Sequence, residues 1–151
     1  MANFLYTQFK KALMNKEHDL DTDTIMATLV DAADYAINST TDASYGLNSF
    51  TAAAKVAVTS LTGCTIGSPA GTFDSANFTW SAVTGDVCEE IVLWNDTPTT
   101  PTADPLIAFY DASVTGLPVT PNGGDINVTV NASGWFSLIL ALMAVSPLIT
   151  G

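Results

Sequence analysis

The stretch Glu89-Glu-Ile-Val-Leu-Trp-Asn95, followed after a spacer by Leu106-Ile-Ala-Phe-Tyr-Asp111, decides the fold. Each is a brief apolar run, rich in β-branched and aromatic residues and too short for a stable helix, which is how a buried strand reads. The spacer, Pro98-Thr-Thr-Pro-Thr-Ala-Asp-Pro105, carries too many prolines to pair inside a sheet and is expected to be an extended surface connection. Working outward, further strands are expected at Thr24 to Asp31, Lys55 to Thr62, Phe78 to Val83, Ile126 to Val130 and Trp135 to Leu142. In the first of these, Ile25, Ala27 and Leu29 alternate with Met26, Thr28 and Val30, so both faces are partly apolar and the strand belongs inside a sheet. The breaks between runs, among them Gly67-Ser-Pro69, Gly85-Asp86 and Leu117 to Asp125, hold turn chemistry. Residues 38 to 50 read as a long loop expected to act at a surface. Before them, Phe4, Leu5, Phe9, Ala12 and Leu13 fall at helical spacing, with Gln8, Lys10, Lys11 and Lys16 off that stripe.

These readings predict a mainly β fold: an antiparallel β-sandwich or partly open barrel with one N-terminal amphipathic α-helix. A single domain over 1–151 is expected, with the helix at about 3–16, the β body at about 24–131 and an apolar C-terminal segment at about 134–151.

The chain has 151 residues, four lysines, no arginine, 15 acidic residues and a formal net charge of −11. A charge this negative gives no electrostatic footprint for phosphate backbones or anionic lipid heads, so nucleic acid and membrane are excluded as expected partners. Trp135 to Ile149 is strongly apolar, but Ser137, Ser146 and Pro147 interrupt it and it falls short of the roughly 20 residues that cross a bilayer. It reads as a buried or intersubunit segment. The first residues, Met-Ala-Asn-Phe-Leu-Tyr, lack the basic and apolar regions of a secretion signal. Three of the four lysines fall within residues 1–16, which favours docking of the helix against an acidic body or an acidic neighbour, or a simple solvated face.

Catalytic chemistry needs convergent ionisable groups, and the sequence predicts no enzyme, no cofactor and no metal site. His18, the one imidazole, is expected in an exposed acidic turn, without a nucleophile-elbow motif anywhere to use it. Asp19-x-Asp21-x-Asp23 opens like a calcium loop, but Thr24 stands where that loop needs glycine and Val30 where it needs glutamate. Those carboxylates read as solvated or as caps on nearby backbone amides. Cys64 and Cys88 have neither CxxC spacing nor a histidine partner; whether they pair is open. Trp80, Trp94 and Tyr110 would make a sugar-stacking platform if they lay together.

Several phrases resemble a family of small virion structural proteins of tailed bacteriophages. They are the opening Met1-Ala-Asn-Phe-Leu-Tyr-Thr-Gln-Phe-Lys-Lys-Ala-Leu13, the run Asp19-Leu-Asp-Thr-Asp-Thr-Ile-Met-Ala-Thr-Leu-Val-Asp31 with Ala33-Asp-Tyr35, Gly71 to Asp86, and Leu106 to Asp111 with Thr115 to Val128. The resemblance covers roughly residues 1 to 131 and lies in layout, so no active site comes with it. It implies a head decoration, or cement, protein on the outer capsid of a particle assembled in the host cytoplasm. Its implied partners are the major capsid protein and copies of itself, as a trimer or another homo-oligomer. A tail or neck protein forming rings or tubes is the alternative. The chain departs from the pattern in its apolar run beyond Trp135 and in its few basic residues. Aromatic and large apolar side chains concentrate binding energy, so the expected contact residues are Phe4, Tyr6, Lys10 and Lys11 in the helix and Trp135, Phe136, Leu138, Leu140 and Leu142 in the tail.

Overall fold

A computed structural model of the protein describes residues 2–45, 50–67, 71–97, 104–111 and 114–138. It is mainly β, with antiparallel sheets, no closed barrel and one short helix near the N-terminus. The elements are β1 Phe4–Leu5, α1 Thr7–Met14, β2 Ile25–Val30, β3 Lys55–Ser60, β4 Thr65–Gly67, β5 Thr72–Asp74, β6 Phe78–Trp80, β7 Glu90–Asn95, β8 Leu106–Tyr110, β9 Ile126–Val128 and β10 Phe136–Ser137.

The two deciding stretches become β7 and β8, neighbours in a five-stranded sheet of order β1-β8-β7-β2-β3. Every residue of β7 is buried, so both faces of this sheet are covered. On one face, Trp80 packs over Leu29 and Ile91 and donates from its indole to the carbonyl of Ala27 (3.3 Å). Trp80 ends β6, which belongs to a second layer built from β6-β9 and β10-β5-β4. In that layer β5 and β6 follow one another, and β9 and β10 run back along them. Phe78 pairs with Val128, and further along Phe73 pairs with Phe136. The bend between β9 and β10 is made at Gly134, whose φ is +73°. A Cβ there would lie 2.6 Å from the Phe73 carbonyl oxygen, so only glycine fits without movement.

The opposite face is covered by the segment between β2 and β3. Tyr45 stacks on Trp94 with ring centroids 3.9 Å apart, and Phe50 sits 5.0 Å from Tyr45 and 4.4 Å from Tyr35. All three covering rings are buried. Their polar tips are satisfied: Trp94 donates to the Thr28 hydroxyl (2.9 Å), Thr28 donates to the Tyr45 hydroxyl (3.0 Å), and the Tyr6 and Tyr35 hydroxyls share a bond of 2.7 Å. Lys55 completes the lid, its ammonium 3.8 Å from the centre of the Tyr45 ring and donating to the Tyr45 carbonyl. Burial lowers the Lys55 pKa, with nearby Asp104 acting in the other direction.

Two expectations change here. The segment 38–50 is surface only in its first half: residues 38–41 and 43 are exposed, while Ser44, Tyr45 and Phe50 are buried, the two rings in the core. The helix is shorter than 3–16, because Phe4 and Leu5 pair with Phe109 and Ala108 along the edge of β8, and Tyr6 donates its N–H to Ile107. An open strand edge outcompetes the first helical turn, which could satisfy few of its own amides.

Replacing Tyr45 should test this cover. Tyr45→Ala is expected to cost about 3–5 kcal/mol in chemical denaturation, as loss of a large buried ring does. Tyr45→Phe, which leaves Thr28 without its acceptor, should cost about 1–2 kcal/mol.

Candidate functional site

Two of the expected contact residues, Phe136 and Leu138, meet a cleft where α1 meets β10. Phe9, the buried anchor of α1, meets Phe136 edge-on at 6.0 Å, and Phe136 lies 5.4 Å from Phe73. Between them and the following turn opens a cleft of 210 Å³ lined by Leu13, His18, Ile66, Phe73, Phe136 and Leu138. It is open to solvent: Ile66 is 47% exposed and Leu138 39%, beside the exposed Asp19, and Met14, the next residue along α1 from Leu13, is 86% exposed. Exposed large apolar groups gathered at one place are the usual mark of a surface that is covered in use. Lys10, Lys11 and Lys16 are all exposed along and just after the same helix.

The contact residues divide. Lys10, Lys11 and Leu138 are accessible. Phe136 and Trp135 are half-buried; the Trp135 indole donates to Ser75, and its carbonyl accepts from the Tyr110 hydroxyl. Tyr6 is fully buried and hydrogen-bonded to Tyr35, so the expectation of an external contact through it is corrected. Phe4 is half-buried and stacked on Phe109 at 4.9 Å, which makes it a core-edge residue first. Leu140 and Leu142 lie outside the described residues.

His18 is not in an exposed turn. Its ring packs 5.3 Å from Phe9, its Nδ1 accepts from the Asn95 side-chain amide at 3.0 Å, and its Nε2 is buried without a partner. Burial lowers its pKa, outweighing Asp23 and Glu17, which favour the charged ring. Asn95 was invisible to sequence reasoning as a partner, because it lies 77 positions away. Asp23 accepts from the Asp19 amide and from Asn95, the capping role that its sequence context suggested. Among the described residues no group of three or more His, Cys, Asp or Glu is placed to hold a metal ion.

Cys64 and Cys88 are free thiols, and burial pushes Cys88 up to about 11. The sugar platform does not form: Trp80 and Trp94 are buried on opposite faces of the five-stranded sheet, and their rings are core. No helix among the described residues is long and apolar enough to cross a membrane.

At the far end of the sheet Glu90, the residue before Ile91, lies near two carboxylates that follow neighbouring strands: Asp111 just beyond Tyr110 of β8 and Asp31 just beyond Val30 of β2. Glu90 is buried, one of its carboxylate oxygens has no hydrogen-bond partner, and burial raises its pKa to about 7, with Glu89, Asp111 and Asp31 adding to the rise. No protein-family model matches the chain, and no curated protein is similar to it at a significant level.

The Glu90 geometry fixes a sign for pH dependence. A carboxyl raised from 4.5 to about 7 stabilises the fold fully below pH 4.5 and loses that contribution as pH rises through 7. Glu90→Gln should therefore flatten the fall in melting temperature between about pH 4.5 and 7, measured by thermal unfolding in matched buffers. A fall as steep as that of the unchanged protein would remove Glu90 as its cause.

Proposed function

We propose that this protein is a structural component of a tailed-phage particle, a decoration protein that binds the major capsid lattice and stabilises the head. The observation that carries this reading is the α1–β10 surface, where a cleft lined mainly by apolar residues opens against the helix that, with the turn after it, bears three of the chain's four lysines, all exposed. The phrases that resemble phage virion proteins point the same way. A mostly acidic protein that carries three of its four lysines, exposed, on and just after the helix that lines this cleft is arranged to meet another protein surface with acidic groups.

Attachment would work through numbers. Each copy offers one modest surface, and an oligomer that engages several lattice sites makes every contact after the first effectively intramolecular. No chemistry is required of the protein in this role. Its part is to add contacts across capsid joints that resist outward pressure.

Cryo-electron microscopy of the particles tests the reading directly. Density for this chain on the outer capsid at the local symmetry axes is the expected result. Density confined to the neck or tail would move the assignment to a ring-forming assembly protein, and absence from the particle would end it. Within the decoration reading, the paired substitutions Lys10→Glu and Lys11→Glu should reduce capsid occupancy about three- to tenfold at low salt, the scale of losing exposed charge pairs. Folding should be unaffected, since both side chains are exposed. Unchanged occupancy would take the helix out of the contact.

A further inference from the structure

One edge of β9 is unused by the described strands. Among the described residues β9 pairs only with β6. Beside it runs a groove of 680 Å³, walled by Ile91, Tyr110, Trp135 and Val128, and it continues into a second of 330 Å³ that reaches Leu29 and Trp80. The two share Ile91, Val114, Thr115, Val128 and Thr129, so they form one trough between the layers. Ile91, Leu29 and Trp80 are core side chains, so the floor of the trough is apolar, and beside it runs the edge of β9 that no other described strand pairs with. An open edge beside an apolar trough is what an added strand requires.

We propose that residues 139–145 of a second copy of this chain add as a strand to the free edge of β9 and fill this trough. The segment is Ile139-Leu-Ala-Leu-Met-Ala-Val145, apolar at every position, as a strand enclosed on both faces must be. Extended, seven residues span about 23 Å, enough to run the length of β9 and the residues after it. The direction of β10 favours the second copy over the chain's own tail. β10 runs along β5 toward Gly71, where Leu138 donates to the Gly71 carbonyl, and this heading leads away from β9. A chain's own segment would have to reverse to reach its own trough, whereas a neighbour's need not. The inference stands apart from the capsid reading, because it concerns the purified chain alone.

Sedimentation velocity on the full chain tests it, together with a form lacking residues 139–151 and a full-length Leu140→Asp, Leu142→Asp variant that covers a failure of the shortened form to fold. The full chain is expected to be oligomeric, and both altered forms monomeric with β-sheet circular dichroism retained. A monomeric full chain, or an oligomer that survives both changes, would overturn the proposal. Site and partner are read by mixing Thr129→Cys protein with Leu140→Cys protein, each carrying Cys64→Ser. Oxidation should link one chain to the other, and a Thr41→Cys control should link far less. Equal linking by the control would overturn the assigned trough. In the double Thr129→Cys, Leu140→Cys variant, a link formed only within one chain would overturn the second copy as occupant.

Discussion

Two neighbouring strands that are apolar on both faces constrain everything else in this protein. β7 and β2 cannot rest on a single core layer, so the chain must supply two covers. β6, through Trp80, furnishes one of them, and residues between β2 and β3 furnish the other with Tyr35, Tyr45 and Phe50. Burying three such rings contributes about 4.5–9 kcal/mol at about 1.5–3 kcal/mol each. That is comparable with the whole stability of a domain, about 5–15 kcal/mol, so this aromatic segment is as much a part of the fold as any strand.

How much of this was legible in sequence depends on where the deciding partner lies. β2, β3, β7, β8 and β9 are found within a few residues of their expected bounds, because each is an apolar run between turn residues. β1, β4 and β5 were not expected. They have two or three residues each, and such strands are set by the neighbour they pair with. Residues 38 to 44 read as surface because they are rich in Asn, Ser, Thr and Asp, and five of the seven are exposed. Their side chains also tie the turn together, with Asn38 accepting from the amides of Thr40 and Thr41 and Asp42 accepting from Asn38 and the Tyr35 hydroxyl. The aromatic rings they hold in place follow neither a helical nor a strand period, so no periodicity reveals them as core.

The candidate surface was half legible. Composition identified the lysine-bearing helix and the apolar tail separately, and the structure brings α1 and β10 together through Phe9 and Phe136. Tyr6 was expected as an outward contact because it is an aromatic residue within the expected helix, when it is the residue at which a strand turns into a helix and its hydroxyl faces Tyr35. His18 was misread for the same reason as the loop: its setting is made by Phe9 and by Asn95, remote in sequence.

The central functional claim, that the chain is a repeated component of a capsid surface, is tested most directly by counting copies. Quantitative mass spectrometry of purified particles gives the ratio of this chain to the major capsid protein. The account predicts a fixed ratio of lattice scale, unchanged between full and DNA-free heads. A ratio matching a single ring, or no copies at all, would contradict it.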